Sequence, residues 1–72
     1  MRNFINVGET IADARKRKGL SQKQLAERAG ISQSHLARIE LGTMCPTIRT
    51  AERILLELGL ELRVARNTLL MH

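Results

Sequence analysis

Four residues near the middle of the sequence have side chains suited to contacting the edges of DNA base pairs. Gln33, Ser34, Ala37 and Arg38 follow the i, i+1, i+4, i+5 spacing that places residues on one stripe of a helix. Glutamine can pair with adenine through two hydrogen bonds, and arginine can pair in the same way with guanine. Any surface helix also has a polar outer face, so the stripe by itself is a weak sign of DNA recognition. It becomes a strong one only if the neighbouring elements form a DNA-binding arrangement.

The residues before this stripe predict a short helix over 22–29. Ser21 followed three residues later by Gln24 is a capping-box pattern, in which each side chain bonds a backbone amide of the first turn. Gly30 supplies the left-handed conformation that commonly ends a helix. The pattern therefore predicts both ends of this helix from local signals.

A second helix is predicted over 33–41, directly after the turn at Gly30. Ser32 is a typical N-cap residue, and Gly42 is a typical terminator. The inward positions of the two helices are apolar: Leu25, Ala26, Ala29, Leu36 and Ile39. A helix, a three-residue turn and a second helix form the helix-turn-helix arrangement, whose second helix can lie in the major groove.

A helix is also predicted before this pair, over 7–18. Asn6 with Glu9 is a second candidate capping box, and Gly19 closes the helix. Its inward face is predicted from four apolar residues: Val7, Ile11, Ala14 and Leu20.

A fourth helix is predicted over 48–58, with Thr47 as its cap and Gly59 as its end. Residues 43–46 form a loop, because Pro46 lacks an amide donor and biases Cys45 away from helix. The predicted apolar stripe contains Ile48, Ala51, Ile54, Leu55 and Leu58.

Composition limits the possible partners. The 72 residues form one domain with 12 Lys and Arg against 7 Asp and Glu, a net charge of +5. A basic balance favours a polyanionic partner, although many basic domains are merely well solvated. The run 15–18 likewise complements the helix dipole, approaches phosphate, or both. The sole aromatic residue, Phe4, argues against readers that stack single-stranded bases.

The same composition argues against an enzyme. Cys45 has no internal disulfide partner and is most simply a small loop hydrophobe, and His35 is most simply a groove-edge or surface residue. With His72 they give no metal-ligand spacing and no set of nucleophile, base and orienting group, so neither metal nor cofactor is expected. No apolar run reaches the roughly 20 residues needed to span a bilayer and no signal peptide is seen, so a cytoplasmic location is expected.

Residues 60–66, LELRVAR, change period. Leu60, Leu62 and Val64 alternate with polar or small residues, which is typical of a half-buried strand. A solitary strand has no partner in its own chain, so pairing with the same strand of a second copy about a two-fold axis is expected. The alternative is a longer fourth helix or a fifth one. The tail, 67–72, contains further apolar residues that would cover the dimer or dock a partner.

The segments LSQKQLAERAGISQSHLARIELG and PTIRTAERILLELGL resemble the lambda-repressor/Cro-type (XRE) helix-turn-helix family. The similarity covers about residues 7–59 and implies an all-α, four-helix DNA-binding domain. After Gly59 the chain departs from most relatives, which continue into a fifth helix. LELGLELRVAR is instead similar to HipB-like antitoxins and some Cro proteins, in which a short C-terminal strand builds the dimer.

The resemblance also implies roles for individual residues. It places three residues at base-reading positions: Gln33, Ser34 and Arg38. It assigns phosphate contacts to five: Gln22, Lys23, Ser32, Thr43 and Thr47. Gln22 is further expected to brace Gln33, and Arg15 and Glu40 match a partly buried salt bridge between the first and third helices.

The function expected from these observations is a transcription regulator, chiefly a repressor, that binds a palindromic DNA operator as a homodimer. An antitoxin that also represses its own operon and neutralises a HipA-like kinase toxin is one version. A stand-alone Cro-type regulator is another. A protein-interaction module that retains the fold without binding DNA is the alternative from a different class.

Overall fold

The computed structural model describes residues 7–60, which form four α-helices. They are α1 (Val7–Arg17), α2 (Gln22–Ala29), α3 (Gln33–Leu41) and α4 (Ile48–Glu57). The predicted all-α fold is confirmed. Three parts of the predictions lie outside the described residues: residues 61–66 of the predicted strand, the tail 67–72, and Asn6 of the candidate Asn6–Glu9 capping box.

Local signals set the helix ends. Ser21 accepts a hydrogen bond from the Gln24 amide over 3.0 Å, and the Gln24 side chain accepts one from the Ser21 amide over 2.8 Å. Ser32 caps α3 by accepting a hydrogen bond from the His35 amide, and Thr47 caps α4 by accepting one from the Thr50 amide. Gly30 has φ 75°, which allows α2 to stop and the chain to turn directly into α3.

Two helices end one residue earlier than predicted. The amide of Lys18 is shared between the carbonyls of Ala14 and Arg15, both at 3.1 Å, so the last turn of α1 has already tightened. Leu58 has φ −94° and ψ 1°, outside the helical range, and serves as the cap of α4. The amide of Leu60 then bonds the Leu55 carbonyl over 2.8 Å, which completes that end.

The core lies between α1, α2, α3 and α4, with α3 packed on α1 and α2, and α2 packed on α4. Its buried members are Ile11, Ala14, Leu25, Ala26, Ala29, Leu36, Ile39, Ile54, Leu55 and Leu58. Leu20 is partly buried against this cluster. Ile48 and Val7, which periodicity places on inward faces, are instead 70% and 41% exposed, and each is the first residue of its helix.

Gly8 is buried where the start of α1 meets the end of α3. A Cβ added there would fall 2.7 Å from the Glu40 carbonyl oxygen, and nearer still to that of Ile39. Both are backbone atoms of α3 and cannot swing aside as a flexible side chain would. The missing side chain at Gly8 therefore sets how closely the two helices approach.

Alanine at Gly8 is expected to destabilise the domain, although it normally favours a helix over glycine by roughly 1 kcal/mol. Forcing a methyl group into this contact must shift α1, at a cost of about 1–3 kcal/mol. Urea denaturation of Gly8→Ala measures the difference, and Thr10→Ala on the exposed side of α1 is the matched control. A Gly8→Ala domain as stable as the control would contradict the close contact.

Candidate nucleic-acid interface

The outer face of α3 presents the three residues predicted to read bases. Gln33, Ser34 and Arg38 are all exposed, whereas Leu36 and Ile39 on the opposite side are fully buried. Neither the Gln33 nor the Arg38 side chain hydrogen-bonds another residue among those described. The face thus carries polar groups that are available to a partner, on a helix fixed by its apolar side.

The loop after α3 is attached to the backbone of Arg38 rather than to its side chain. The Arg38 carbonyl accepts hydrogen bonds from the Thr43 amide at 3.0 Å, the Met44 amide at 3.3 Å and the Thr43 hydroxyl at 3.2 Å. The guanidinium remains exposed. Substituting the side chain therefore leaves the loop contacts in place.

The residues predicted to contact phosphate lie at helix N-termini or in the loop before α4. Gln22 and Lys23 open α2, Ser32 caps α3, and Thr47 caps α4. Helix N-termini favour anions because their first amides lack helical acceptors and the helix dipole is positive there. The arrangement gives three such ends, at the starts of α2, α3 and α4.

Two of these hydroxyl groups already have internal acceptors. Thr43 donates to the Arg38 carbonyl, and Thr47 donates to the Thr50 hydroxyl over 3.1 Å. Each hydroxyl must rotate before it can donate to a phosphate oxygen. The phosphate contacts of all five residues stay predictions.

A partly buried ion pair joins the ends of α1 and α3. The Arg15 Nε donates to Glu40 Oε2 over 2.8 Å and its Nη2 donates to Oε1 over 3.0 Å. The Nη1 of Arg15 also donates to the Leu20 carbonyl over 2.9 Å, which ties the chain between α1 and α2. The two side chains are only 11% and 6% exposed. The pairing implied by the resemblance is thus present, with two parallel hydrogen bonds.

Gln22 adds a third helix to this network. Its Nε2 donates to Glu40 Oε1 over 2.9 Å, and within residues 7–60 no hydrogen bond joins it to Gln33, the partner expected from the resemblance. A carboxylate is a stronger acceptor than a neutral amide, which favours Glu40. One N–H of the Gln22 amide remains, so a phosphate contact is compatible with this bond.

The environment shifts both charged groups in the direction of ionisation. Burial alone would raise the pKa of Glu40, but hydrogen bonds from Arg15 and Gln22 and the positive charges of Arg15 and Lys16 outweigh it and hold that pKa below its usual value. The hydrogen bond to Glu40 raises the pKa of Arg15 despite the opposing effect of burial. The network is therefore ionised at neutral pH.

The structure also places the cysteine and one of the two histidines of the sequence. Cys45 is exposed in the loop, and His35 is partly buried on α3. Among residues 7–60 no group of three or more His, Cys, Asp and Glu side chains could hold a metal ion. Over that stretch, no helix combines the length and apolarity needed to cross a membrane.

Comparison with known families decides what kind of domain this is. A helix-turn-helix family model matches residues 11–64, three quarters of the chain. The chain belongs to the lambda-repressor/Cro-type helix-turn-helix family.

The chain is similar to a phage control-region protein and to proteins named as a repressor and a transcriptional regulator. The chain is 37% identical over 62 residues to the ImmF control region 10 kDa protein of Bacillus phage phi105, covering 86% of this chain and 69% of that protein. It is 40% identical over 57 residues to the immunity repressor of the same phage, covering 79% of this chain but 40% of the repressor. With PuuR of Escherichia coli K12, an HTH-type transcriptional regulator, the identity is 34% over 76% of this chain and 30% of PuuR.

Solved structures share the fold. SinR, a master regulator of biofilm formation solved in complex with DNA, has a TM-score of 0.72 and 36% identity over 76% of this chain and 89% of that one. A toxin–antitoxin module from Streptococcus pneumoniae has a TM-score of 0.68 and 40% identity over 81% of this chain and 64% of that one. A similar domain is thus found in a regulator solved in complex with DNA and in a toxin–antitoxin module.

Proposed function

We propose that the chain is a sequence-specific DNA-binding transcription regulator, a repressor, whose helix α3 enters the major groove. The observation that carries the proposal is the outer face of α3, where Gln33 and Arg38 are exposed and their side chains make no hydrogen bond to any other residue within 7–60. Similarity to SinR, solved in complex with DNA, and to a phage immunity repressor supports it. Such a regulator acts at the nucleoid in the cytoplasm.

The phosphate contacts are assigned to the elements around α3. Gln22, Lys23, Ser32, Thr43 and Thr47 would hold the backbone of the duplex, fixing the register in which α3 meets base edges. The Glu40 network supports this role, because its bond to Gln22 fixes the start of α2 relative to α3. The Glu40 carboxylate of α3 therefore positions Gln22, a residue proposed to bind phosphate, relative to the helix proposed to read bases.

A test of this function selects duplexes from a randomised pool and then measures affinity for the selected sequence as salt rises. We expect enrichment of one sequence and a steep fall of log K with log salt, with a slope of about −0.9 for each phosphate neutralised. A pool that stays random, or affinity that is insensitive to salt, would overturn the proposal. Either result would favour a protein-interaction module that retains the fold.

The operator is proposed to be palindromic and bound by a homodimer. Two copies would present their α3 helices to half-sites about 34 Å apart. Pairing of residues 60–66 from each copy, with Leu60, Leu62 and Val64 inward, would build the dimer. Because the amide of Leu60 closes α4, ladder pairing by backbone amides would begin at residue 61.

Proline at Val64 is expected to shift the chain towards monomer, because it removes a backbone donor from the proposed ladder. Sedimentation velocity measures the shift, and Val64→Thr, which keeps both the donor and the β-branched shape, is the control. If Val64→Pro is still a dimer at a protein concentration at which the wild type is a dimer, the interface lies elsewhere.

The antitoxin version is a narrower candidate, favoured by the similarity to the pneumococcal toxin–antitoxin module and by the LELGLELRVAR segment. In this version a HipA-like kinase toxin binds the dimer and the chain represses its own operon. Co-expression with the product of the neighbouring gene tests it. Relief of growth arrest by the chain supports an antitoxin, whereas a neighbour that encodes no toxin favours a stand-alone regulator.

A further inference from the structure

A second basic surface lies away from the outer face of α3. Two adjoining shallow depressions sit where the ends of α1 and α2 meet α4, and Arg28 and Glu57 line both. Lys18 lines the first depression, and Arg53 and Leu56 line the second. These five residues are named the cationic patch.

The helix dipole explains some of these charges but not Arg53. Lys18 follows the end of α1 and Arg28 lies in the last turn of α2, where cations complement the negative end of the dipole. Arg53 is the sixth of the ten residues of α4 and gains nothing of this kind. Its Nη1 lies 3.6 Å from where a Cβ on Gly30 would stand, so its side chain reaches across to the end of α2.

The cations of the patch have no counter-ion within the described part of the chain. Within residues 7–60, no carboxylate lies within ion-pair distance of Lys18, Arg28 or Arg53. Glu57 follows Arg53 by four residues, yet the two do not pair; this order, with the cation first, is the weaker one on a helix. Three cations and one carboxylate leave the patch with a net charge of +2, and like charges held together oppose folding.

An exposed apolar residue accompanies these charges. Leu56 is 72% exposed, whereas its neighbours Ile54 and Leu55 are buried in the core. It follows Arg53 by three residues and therefore stands beside it on the helix surface. A single exposed leucine is ordinary, but here it sits in a depression between two arginines.

A partner can occupy the cationic patch while the outer face of α3 contacts DNA. No residue of α3 lines either depression. Arg28 is near the end of α2, whereas Gln22 is at its start, about 10 Å away along the axis. A partner at the patch therefore meets a surface separate from the proposed DNA contacts.

We propose that the cationic patch binds an acidic segment of a partner protein, whose carboxylates pair with Arg28 and Arg53 while an apolar side chain packs on Leu56. Charge complementarity selects the partner, since carboxylates supply the counter-ions that Lys18, Arg28 and Arg53 do not find among residues 7–60. A nucleic-acid backbone fits less well, because it carries no apolar side chain to pack on Leu56, whereas a protein segment can supply one. This proposal does not depend on DNA binding.

The test uses a labelled helical peptide of 16 residues that carries Glu on one face and Leu beside it. Fluorescence anisotropy measures its affinity for the full chain, and a peptide with every Glu replaced by Gln controls for apolar binding. We expect Arg53→Glu to weaken binding about tenfold, as loss of a charge-assisted hydrogen bond implies. Arg49→Glu, an equal charge change one turn earlier in α4 and outside both depressions, should weaken it by a clearly smaller factor.

Mapping by ¹⁵N NMR completes the test, with the strongest shifts expected at Arg28, Arg53 and Leu56. Equal losses for Arg49→Glu and Arg53→Glu would overturn the proposal in favour of general attraction. Shifts confined to α3 would show the peptide acting as a DNA mimic, and displacement of it from the patch by a random duplex would assign the patch to nucleic acid. No binding at millimolar peptide would also overturn it.

Discussion

Replacing Glu40 by alanine is expected to lower the free energy of unfolding by about 1–3 kcal/mol, the cost of leaving a partly buried group without its hydrogen-bond partner. The change leaves the Arg15 guanidinium, whose side chain is 11% exposed, without its carboxylate, and it also removes the acceptor of Gln22. An unpaired buried charge is costly even where the intact pair adds little net stability. Urea denaturation followed by circular dichroism measures the loss.

Controls separate the buried charge from a general effect of substitution. Glu27→Ala removes an exposed carboxylate from α2 and should change stability by less than about 0.5 kcal/mol. The double variant Arg15→Met with Glu40→Leu removes both charges and should recover much of the loss. Equal stability of Glu40→Ala and Glu27→Ala would show that the pair does not hold α1 to α3.

The pH dependence of stability gives a second readout of the same prediction. Because the folded pKa of Glu40 lies below its usual value near 4.5, the ion pair contributes fully above that value. Its contribution is lost as the pH falls through the lowered pKa. The melting temperature of Glu40→Gln should therefore fall less between pH 5 and pH 3 than that of the wild type.

Arg38→Ala is expected to lose discrimination at one base pair, by about 1–3 kcal/mol, while the fold stays intact. The side chain is exposed, and the loop is held by the Arg38 carbonyl, which alanine retains. Lys23→Ala is the matched control, because a phosphate contact weakens binding to all sequences alike and reduces the salt slope. Affinities for the selected duplex and its single-base variants measure both effects.

If Arg38→Ala weakens binding to every duplex by the same factor, Arg38 contacts the DNA phosphate backbone and not a base. In that case the readout would rest on Gln33 and Ser34. A variant with unchanged affinity and unchanged preference would remove Arg38 from the interface altogether.

The bounds of α2 and α3 could be predicted from the sequence because their ends are set locally. The hydroxyls of Ser21 and Ser32 cap their own first turns, and Gly30 terminates α2 within three residues of the next cap. Ile48 shows where periodicity fails. The pattern gives the face on which a residue lies, but not how far along the helix the neighbouring element extends, and Ile48, the first residue of α4, is exposed.

The contacts that position the site are long-range and could not be derived from spacing. Arg15 and Glu40 are 25 residues apart, and only the resemblance to a family paired them. The bond from Gln22 to Glu40 was missed, since it depends on how α2 meets α3. Gly8 was also missed, although a glycine three residues before the inward Ile11 is a detectable sign of close helix packing.

The central claim is that the outer face of α3 contacts DNA bases, and a single titration tests it. Adding the selected duplex to the ¹⁵N-labelled chain should produce its largest shifts, and direct contacts to base protons, at Gln33, Ser34 and Arg38. Shifts concentrated at Arg28 and Arg53, with α3 unchanged, would contradict the assignment of α3 as the helix that reads DNA.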